Sequence, residues 1–315
     1  MRLFLLGCTG FIGRELVPLL QREGHSCTLL SRQPASASAS ASGLGPPDVA
    51  RLQGDPAEPA TWRRPEVLEA LAAAEGVVNL AGEPIADHRW TPQHLQRLLD
   101  SRLVTTTELV EAMGHLGTPP RVLVNGSAVG YYGTSPSGSF TEASPPAADF
   151  LGQLCAQWEA AADRAAVGIR VVKLRIGIVL GAGGGALGKM LPVFRTGFGG
   201  PVGSGRQWMS WIERTDLCRL IAAALVDPAY VGAYNAVAPT PVTMQSFATS
   251  LGDVLGRPSL LPVPAPVLQL MLGDGAKVVL EGQHVVPERL QQQGFSFQYP
   301  DVAAALAAAT SPGSR

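Results

Sequence analysis

At 315 residues, with 46% apolar and 16% charged side chains, the chain has material for one large α/β domain or for a principal domain with a smaller lobe. Its 24 basic and 25 acidic side chains leave a formal net charge of -1, so there is no electrostatic footprint for nucleic acid. No apolar run is long enough to span a bilayer, and no basic helix suggests a membrane surface. The four cysteines are scattered without metal-ligand spacing, which points to a reducing intracellular compartment and no bound metal. The first apolar run begins within two residues of Met1, leaving no room for a signal or transit peptide. The expectation is a soluble protein of the cytosol or an organelle matrix.

Leu3-Phe4-Leu5-Leu6 reads as a buried parallel strand that stops at Gly7. Gly7, Gly10 and Gly13 are spaced three apart, and an amphipathic helical pattern runs from Ile12 to about Glu23. In that context Gly7 permits a tight strand-to-helix turn, Gly10 lets backbone approach a pyrophosphate, and Gly13 lets the helix sit close on the strand. Thr9, Phe11 and Ile12 complete the turn, where the helix N-terminus offers N–H groups and positive dipole to phosphates. The alternative is a plain glycine-rich turn.

Cys27 to Leu30 forms a second strand, ending in Ser31-Arg32. An acidic residue there would accept from both ribose hydroxyls of NAD, and none is present. Arg32 offers a permanently charged fork suited to a 2′-phosphate, with Ser31 as a second donor, so the cofactor expected is NADP(H). The competing reading makes Arg32 the solvated first residue of a loop. Residues 33–47 are low-complexity spacer, alternating Ala and Ser before Gly-Leu-Gly-Pro-Pro. A weak third strand closes near Gly54-Asp55.

A helix over Pro65–Ala74 precedes a fourth strand from Val77, whose small terminal residues Leu80, Ala81 and Gly82, with Glu83, leave room for the cofactor. Gln93 to Met113 reads as one long helix carrying Ser101-Arg102. Val122 to Asn125 is a fifth strand, followed by Ser127, Tyr131 and Tyr132 in a glycine-rich stretch. That stretch reads either as a reactive-site lining or as a turn with aromatic packing. A helix over Asp149–Ala166 and a sixth strand over Val171–Arg175, running on to Gly181, come next. Beyond Gly183 the composition shifts. Helices over Asp216–Val226 and Thr243–Leu255, a strand over Tyr234–Val237 and a Pro-rich run over 258–266 follow, and the last few residues read as frayed.

Strands alternating with helices argue for an α/β fold, a doubly wound parallel sheet of Rossmann type with a smaller C-terminal substrate lobe. The boundaries expected are 1–180, with 212–238 returning to the sheet, against 181–211 and 239–310 for the lobe. These residues resemble the extended short-chain dehydrogenase/reductase superfamily, in its nucleoside-diphosphate-sugar epimerase-like branch. More narrowly, they resemble an atypical group of epimerase-family proteins with a C-terminal domain of unknown function. The resemblance rests on Gly7 to Gly13, Val78 to Glu83, Asp100-Ser101-Arg102, Trp158 to Ala161, Gly200 to Gly205 and Glu281-Gly282-Gln283.

The superfamily works with a serine, a tyrosine and a lysine four residues after the tyrosine, often with a helix asparagine. The resemblance places Ser127 at the serine and Glu159 at the glutamate that commonly follows the lysine by four. Leu151 then stands at the tyrosine, Cys155 at the lysine and Arg102 at the asparagine. The usual proton-transfer pair is therefore missing, and losing a positioned acid–base typically sacrifices ~10²–10⁴ in rate. Tyr131 and Tyr132, four and five residues past Ser127, are replacement candidates, one of which would face the nicotinamide. Cys155 reads either as a nucleophile or weak acid near Arg102, or as a small buried helix residue. Arg102, Ser127 and Arg175 join the glycine turn, Ser31, Arg32 and Leu80–Glu83 as candidate cofactor contacts.

Two functions follow. One is an NADP-dependent oxidoreductase or epimerase acting on an unidentified small molecule. The other is a catalytically silent NADPH-binding structural or sensor subunit. The partners expected are a small-molecule substrate and a second copy or a larger complex.

Overall fold

A computed structural model describes residues 1–33 and 49–311. Apart from Gln33, the low-complexity spacer lies outside the described residues, as do the last four residues of the chain. The principal sheet has seven strands: β1 (Arg2–Leu6), β2 (Ser26–Ser31), β3 (Ala50–Gln53), β4 (Gly76–Asn79), β5 (Val122–Ala128), β7 (Arg170–Ile176) and β11 (Gly232–Ala236). Every pairing in it is parallel, in the order β11-β7-β5-β4-β1-β2-β3. The chain winds one way from β1 to β3 and the other way from β4 to β11. The direction reverses between β1 and β4, where open α/β sheets form their ligand crevice.

Alternation along the strands divides the core. Leu3 and Leu5 of β1 face one layer, with α1 (Gly13–Arg22) and α6 (Arg214–Val226), whose Leu16, Leu20, Leu217 and Leu220 are wholly buried. Phe4 and Leu6 face the other, with α2 (Pro65–Ala73), α3 (Pro92–Gly114) and Ala162 of α4 (Phe150–Asp163). Burial on both faces explains why these strands read as continuous apolar runs. The helix α3 is unbroken over 23 residues; Thr91 caps it by accepting from the His94 amide at 3.2 Å. Asp149 caps α4 in the same way, accepting from the Gly152 amide at 2.8 Å.

The sixth strand does not run through to Gly181 as its apolar pattern suggests. It breaks at Gly177, where a Cβ would lie 2.5 Å from the Ser210 carbonyl oxygen. The chain leaves the main sheet there, and β8 (Ile178–Leu180) pairs in parallel with β10 (Trp211–Glu213). A third core lies beyond this break, joining α5 (Gly185–Arg195), α7 (Met244–Leu255) and α11 (Val302–Thr310) through Leu187, Phe194, Trp211, Phe247 and Leu306.

Short ribbons complete the lobe: β9 (Trp208–Met209) antiparallel to β12 (Val242–Thr243), and β6 (Ser139–Phe140) parallel to β13 (His284–Val285). The Pro-rich run ends in α8 (Ala265–Leu272), which buries none of its residues and leads to the short helices α9 (Lys277–Leu280) and α10 (Glu288–Gln292). Among the described residues no helix is long and apolar enough to cross a membrane.

Candidate functional site

The reversal of winding places the end of β1 against the end of β4. Gly7 has φ +72°, and a Cβ on it would lie 2.4 Å from the Leu80 carbonyl carbon, so the turn requires glycine twice over. A Cβ on Gly13 would lie 1.9 Å from the Cys8 carbonyl oxygen, which locks the first turn of α1 onto the strand. Gly10 differs. Its missing Cβ would meet only the Gly7 carbonyl oxygen, at 3.5 Å, so that face is open. Close backbone contacts thus require glycine at positions 7 and 13, and leave position 10 unconstrained by the fold.

A cleft of about 460 Å³ opens over this turn. Gly7, Thr9 and Gly10 form its floor, Ser31 and Arg32 close one end, and Leu80, Ala81, Gly82 and Glu83 line its β4 side. Phe11 and Ile12 are turned away from it. The Phe11 ring packs beneath Gly184 and Gly185 with the Arg214 guanidinium 4.6 Å above, and the Ile12 carbonyl accepts from the Cys218 thiol. What these two residues can offer a ligand is the backbone N–H groups of the first helical turn, which have no partner within the helix.

Arg102 also stands behind the cleft rather than on its wall. It is buried, with its guanidinium 5.3 Å from the centre of the Trp158 ring. It donates to the carbonyls of Leu98 at 3.2 Å and Glu83 at 3.0 Å. Ser101 accepts from the Glu83 amide at 3.0 Å, so two neighbouring residues of α3 hold the loop that follows β4. Gly82 permits this, because a Cβ there would lie 3.0 Å from the Arg102 guanidinium carbon.

Ser127 lies within the last two residues of β5, in register with Arg175 of β7. Its hydroxyl donates to Glu159 Oε1 at 2.7 Å. Arg175 grips the same carboxylate with Nε at 2.8 Å and Nη2 at 2.9 Å, and all three side chains are buried. A bidentate guanidinium holds Glu159 as an acceptor-only carboxylate. The serine's one proton is thereby committed.

Arg175 is also far from a simple cofactor contact. Its third arm donates to the Tyr132 hydroxyl at 2.8 Å, and its guanidinium lies 3.5 Å from the centre of the Tyr131 ring. Tyr132 in turn donates to Asn235 Oδ1 at 2.6 Å, and burial pushes its phenol up to about 12 against the pull of Arg175. Tyr132 thus ties the turn after β5 to β7 and β11, while Tyr131 is only half-buried.

Cys155 is 3% exposed, and burial pushes its thiol up to about 12; Arg102 draws it the other way but does not prevail. A nucleophilic thiolate is not what this environment makes. Leu151 and Cys155 together border Gly130, where a Cβ would lie 3.4 Å from the leucine and 3.9 Å from the sulfur. Neither of these two side chains offers a charge or a ready proton at that place. Among the described residues no group of three or more His, Cys, Asp or Glu side chains is placed to hold a metal.

Among the residues lining the cleft, Arg97, Asp100 and Thr105 of α3 carry no site role from the sequence alone. They recur three to five residues apart on a helix whose apolar face is buried, and only the position of that helix beside β4 marks them out.

Residues 3–237 match the model of the NAD dependent epimerase/dehydratase family, and residues 263–309 match a domain of unknown function, DUF1731. The chain is 42% identical over 310 residues to the chloroplastic epimerase family protein SDR39U1 homolog of Arabidopsis thaliana, covering 98% of this chain and 86% of that protein. It is 38% identical over 310 residues to the human epimerase family protein SDR39U1, covering 97% and 98%. A crystal structure of that human protein (isoform 2) with NADPH superposes with TM-score 0.85 at 37% identity, covering 98% of this chain and 99% of that one. A UDP-glucose 4-epimerase of Thermotoga maritima shares the fold, with TM-score 0.78 at 16% identity over 98% of this chain and 97% of that one. With an open glycine turn at the reversal of a parallel sheet and sequence identity sustained over nearly its whole length, this chain belongs to the NAD dependent epimerase/dehydratase family.

Proposed function

We propose that this protein binds NADP(H) in the cleft over β1 and β4, and that its chemistry, where it has one, is oxidoreductase or epimerase chemistry on a small molecule. The carrying observation is Arg32 at the end of β2, facing a cleft whose glycine floor is open at Gly10 and whose β2 edge has no carboxylate. A guanidinium at that place favours a 2′-phosphate, and the absent carboxylate removes the usual preference for a bare ribose. The crystal structure of the human relative with NADPH supports the same choice. The amides of Phe11, Ile12 and Gly13 would hold the pyrophosphate, Ser31 and Arg32 the 2′-phosphate, and Leu80 to Gly82 would give the cofactor backbone clearance. When bound, the nicotinamide supplies or accepts hydride.

In the active reading, Tyr131 is the group that moves a proton. It is the partly exposed phenol past Ser127, and the Arg175 cation over its ring takes the place of the missing lysine charge. The second reading, a catalytically silent NADPH-binding subunit of a larger assembly, is favoured by a specific observation. Ser127 spends its proton on Glu159 and so has none to offer a substrate oxygen, while Leu151 and Cys155 supply neither acid nor cation.

Label transfer separates the two. Loss of tritium from the 4-position of NADPH to a panel of carbonyl compounds, abolished in Tyr131→Phe, supports the enzyme. Tight binding without label loss supports the silent subunit.

A further inference from the structure

We propose that Arg97 of α3 is a second residue for the 2′-phosphate, acting with Arg32, so that the choice of NADP(H) is made by two guanidinium groups from separate elements. The proposal rests on the NADP(H) reading above and names a residue that reading does not contain.

Three arginines line the cleft or the cavity beside it. Arg32 lies at the junction of the main cleft with a neighbouring cavity of about 550 Å³, and Asp55 is shared between the two in the same way. Arg64 lines only the outer cavity, and its guanidinium is already engaged: it donates to the Gln53 carbonyl and to Glu66. Arg97 lines only the main cleft. Among the described residues, neither Arg32 nor Arg97 makes an ion pair, a side-chain hydrogen bond or a ring contact.

The nearest natural partner for Arg97 would be Asp100, one turn along α3. That carboxylate instead accepts from Gln96 at 2.8 Å. Asp55 likewise accepts from the Ala57 amide at 3.0 Å. The cleft therefore keeps two uncommitted cations, Arg32 and Arg97.

The charge count says what they are for. The cleft walls carry Arg32 and Arg97 against Asp55, Glu83 and Asp100, a net of one negative charge. Such a wall does not attract a polyanion by its general field. A phosphate enters only where a guanidinium meets it directly. The pyrophosphate has the N-terminus of α1 for this purpose. A phosphomonoester carries about -1.5 to -2 at neutral pH, and one arginine leaves up to half of that unanswered. Arg97 is the remaining cation on the cleft wall, and its long side chain on an exposed helical position can reach without rebuilding the fold.

The test compares NADPH with NADH, which differ only in the 2′-phosphate, on the full chain by calorimetry or by nucleotide fluorescence. Arg97→Ala is expected to raise the Kd for NADPH about tenfold while that for NADH stays within about twofold, the size of a lost charge-assisted contact at a solvated site. Arg97→Lys, which keeps the charge without the fork, should fall between. Combined with Arg32→Ala, the effect should be less than the product of the single effects, because both residues address one group.

Equal weakening of NADPH and NADH would place Arg97 on the pyrophosphate or the base and overturn the proposal. So would an unchanged NADPH affinity. If the unaltered protein binds neither nucleotide, the NADP(H) reading itself fails; if it binds NADPH tightly and Arg97→Ala does not alter this, only the role of Arg97 fails.

Discussion

Ser127 and Glu159 are joined by a 2.7 Å hydrogen bond in which the serine can only be the donor, since Arg175 holds both carboxylate oxygens of Glu159. Any other group that meets the Ser127 hydroxyl meets lone pairs and no proton. The same three residues tie β5, α4 and β7 together, so the site's serine is part of the frame that holds the sheet.

Glu159→Ala should therefore destabilise the fold by about 3–5 kcal/mol, because it strands the buried Arg175 charge. Ser127→Ala removes one hydrogen bond and should cost only about 1 kcal/mol. Urea unfolding checks this: both variants should lower the midpoint with an unchanged slope, the first far more than the second. Equal midpoints would mean that the pair is not the buried frame described.

Gly10→Ala and Gly13→Ala should part company. The first adds a methyl to an open face, so stability should change by no more than about 1 kcal/mol, the ordinary cost or gain of a Gly-to-Ala exchange, while NADPH affinity falls. The second drives a methyl into the Cys8 carbonyl and should lose stability as well as binding. Thermal melts with and without NADPH distinguish them: the Gly10 variant keeps its unliganded Tm and loses the nucleotide-induced rise.

Burial raises Cys8 and Cys155 to about 12 and Cys27 to about 11, and raises Cys218 as well. An unfolded thiol ionises near 9, so in that range the unfolded chain sheds protons that the folded chain keeps. The contribution of these thiols is full below about pH 9 and is lost as pH rises from there toward 12, by ~1.4 kcal/mol per unit for each thiol. Urea midpoints at pH 8, 9 and 10 should fall with increasing steepness. At pH 8 a thiol reagent should label the native protein slowly at all four positions. Rapid labelling of Cys155 would restore the nucleophile reading.

Much of the fold could be read from the sequence because its strands are buried on both faces and end at glycine. Leu3 to Leu6 followed by Gly7, Gly10 and Gly13 locates the first strand, the turn and the helix without help. Arg32 was legible for the same reason, as the residue directly after a strand end. What could not be read is what depends on register. Ser127 and Glu159 are 32 residues apart, and Arg175 meets them only because β7 lies beside β5 with Ser127 opposite it. Arg102 has the composition of a phosphate contact, yet it is turned inward to support Glu83, and nothing local signals that. The break at Gly177 is likewise set by the Ser210 carbonyl, which approaches from 33 residues further on.

If the cleft selects its nucleotide through Arg32, calorimetric titration of NADPH and NADH into the unaltered protein and Arg32→Ala will show it. NADPH is expected to bind the unaltered protein at least about tenfold more tightly than NADH, with that preference reduced severalfold in Arg32→Ala through a weaker NADPH complex. Equal affinities for the two nucleotides in the unaltered protein, or a preference undiminished by the loss of Arg32, would contradict it.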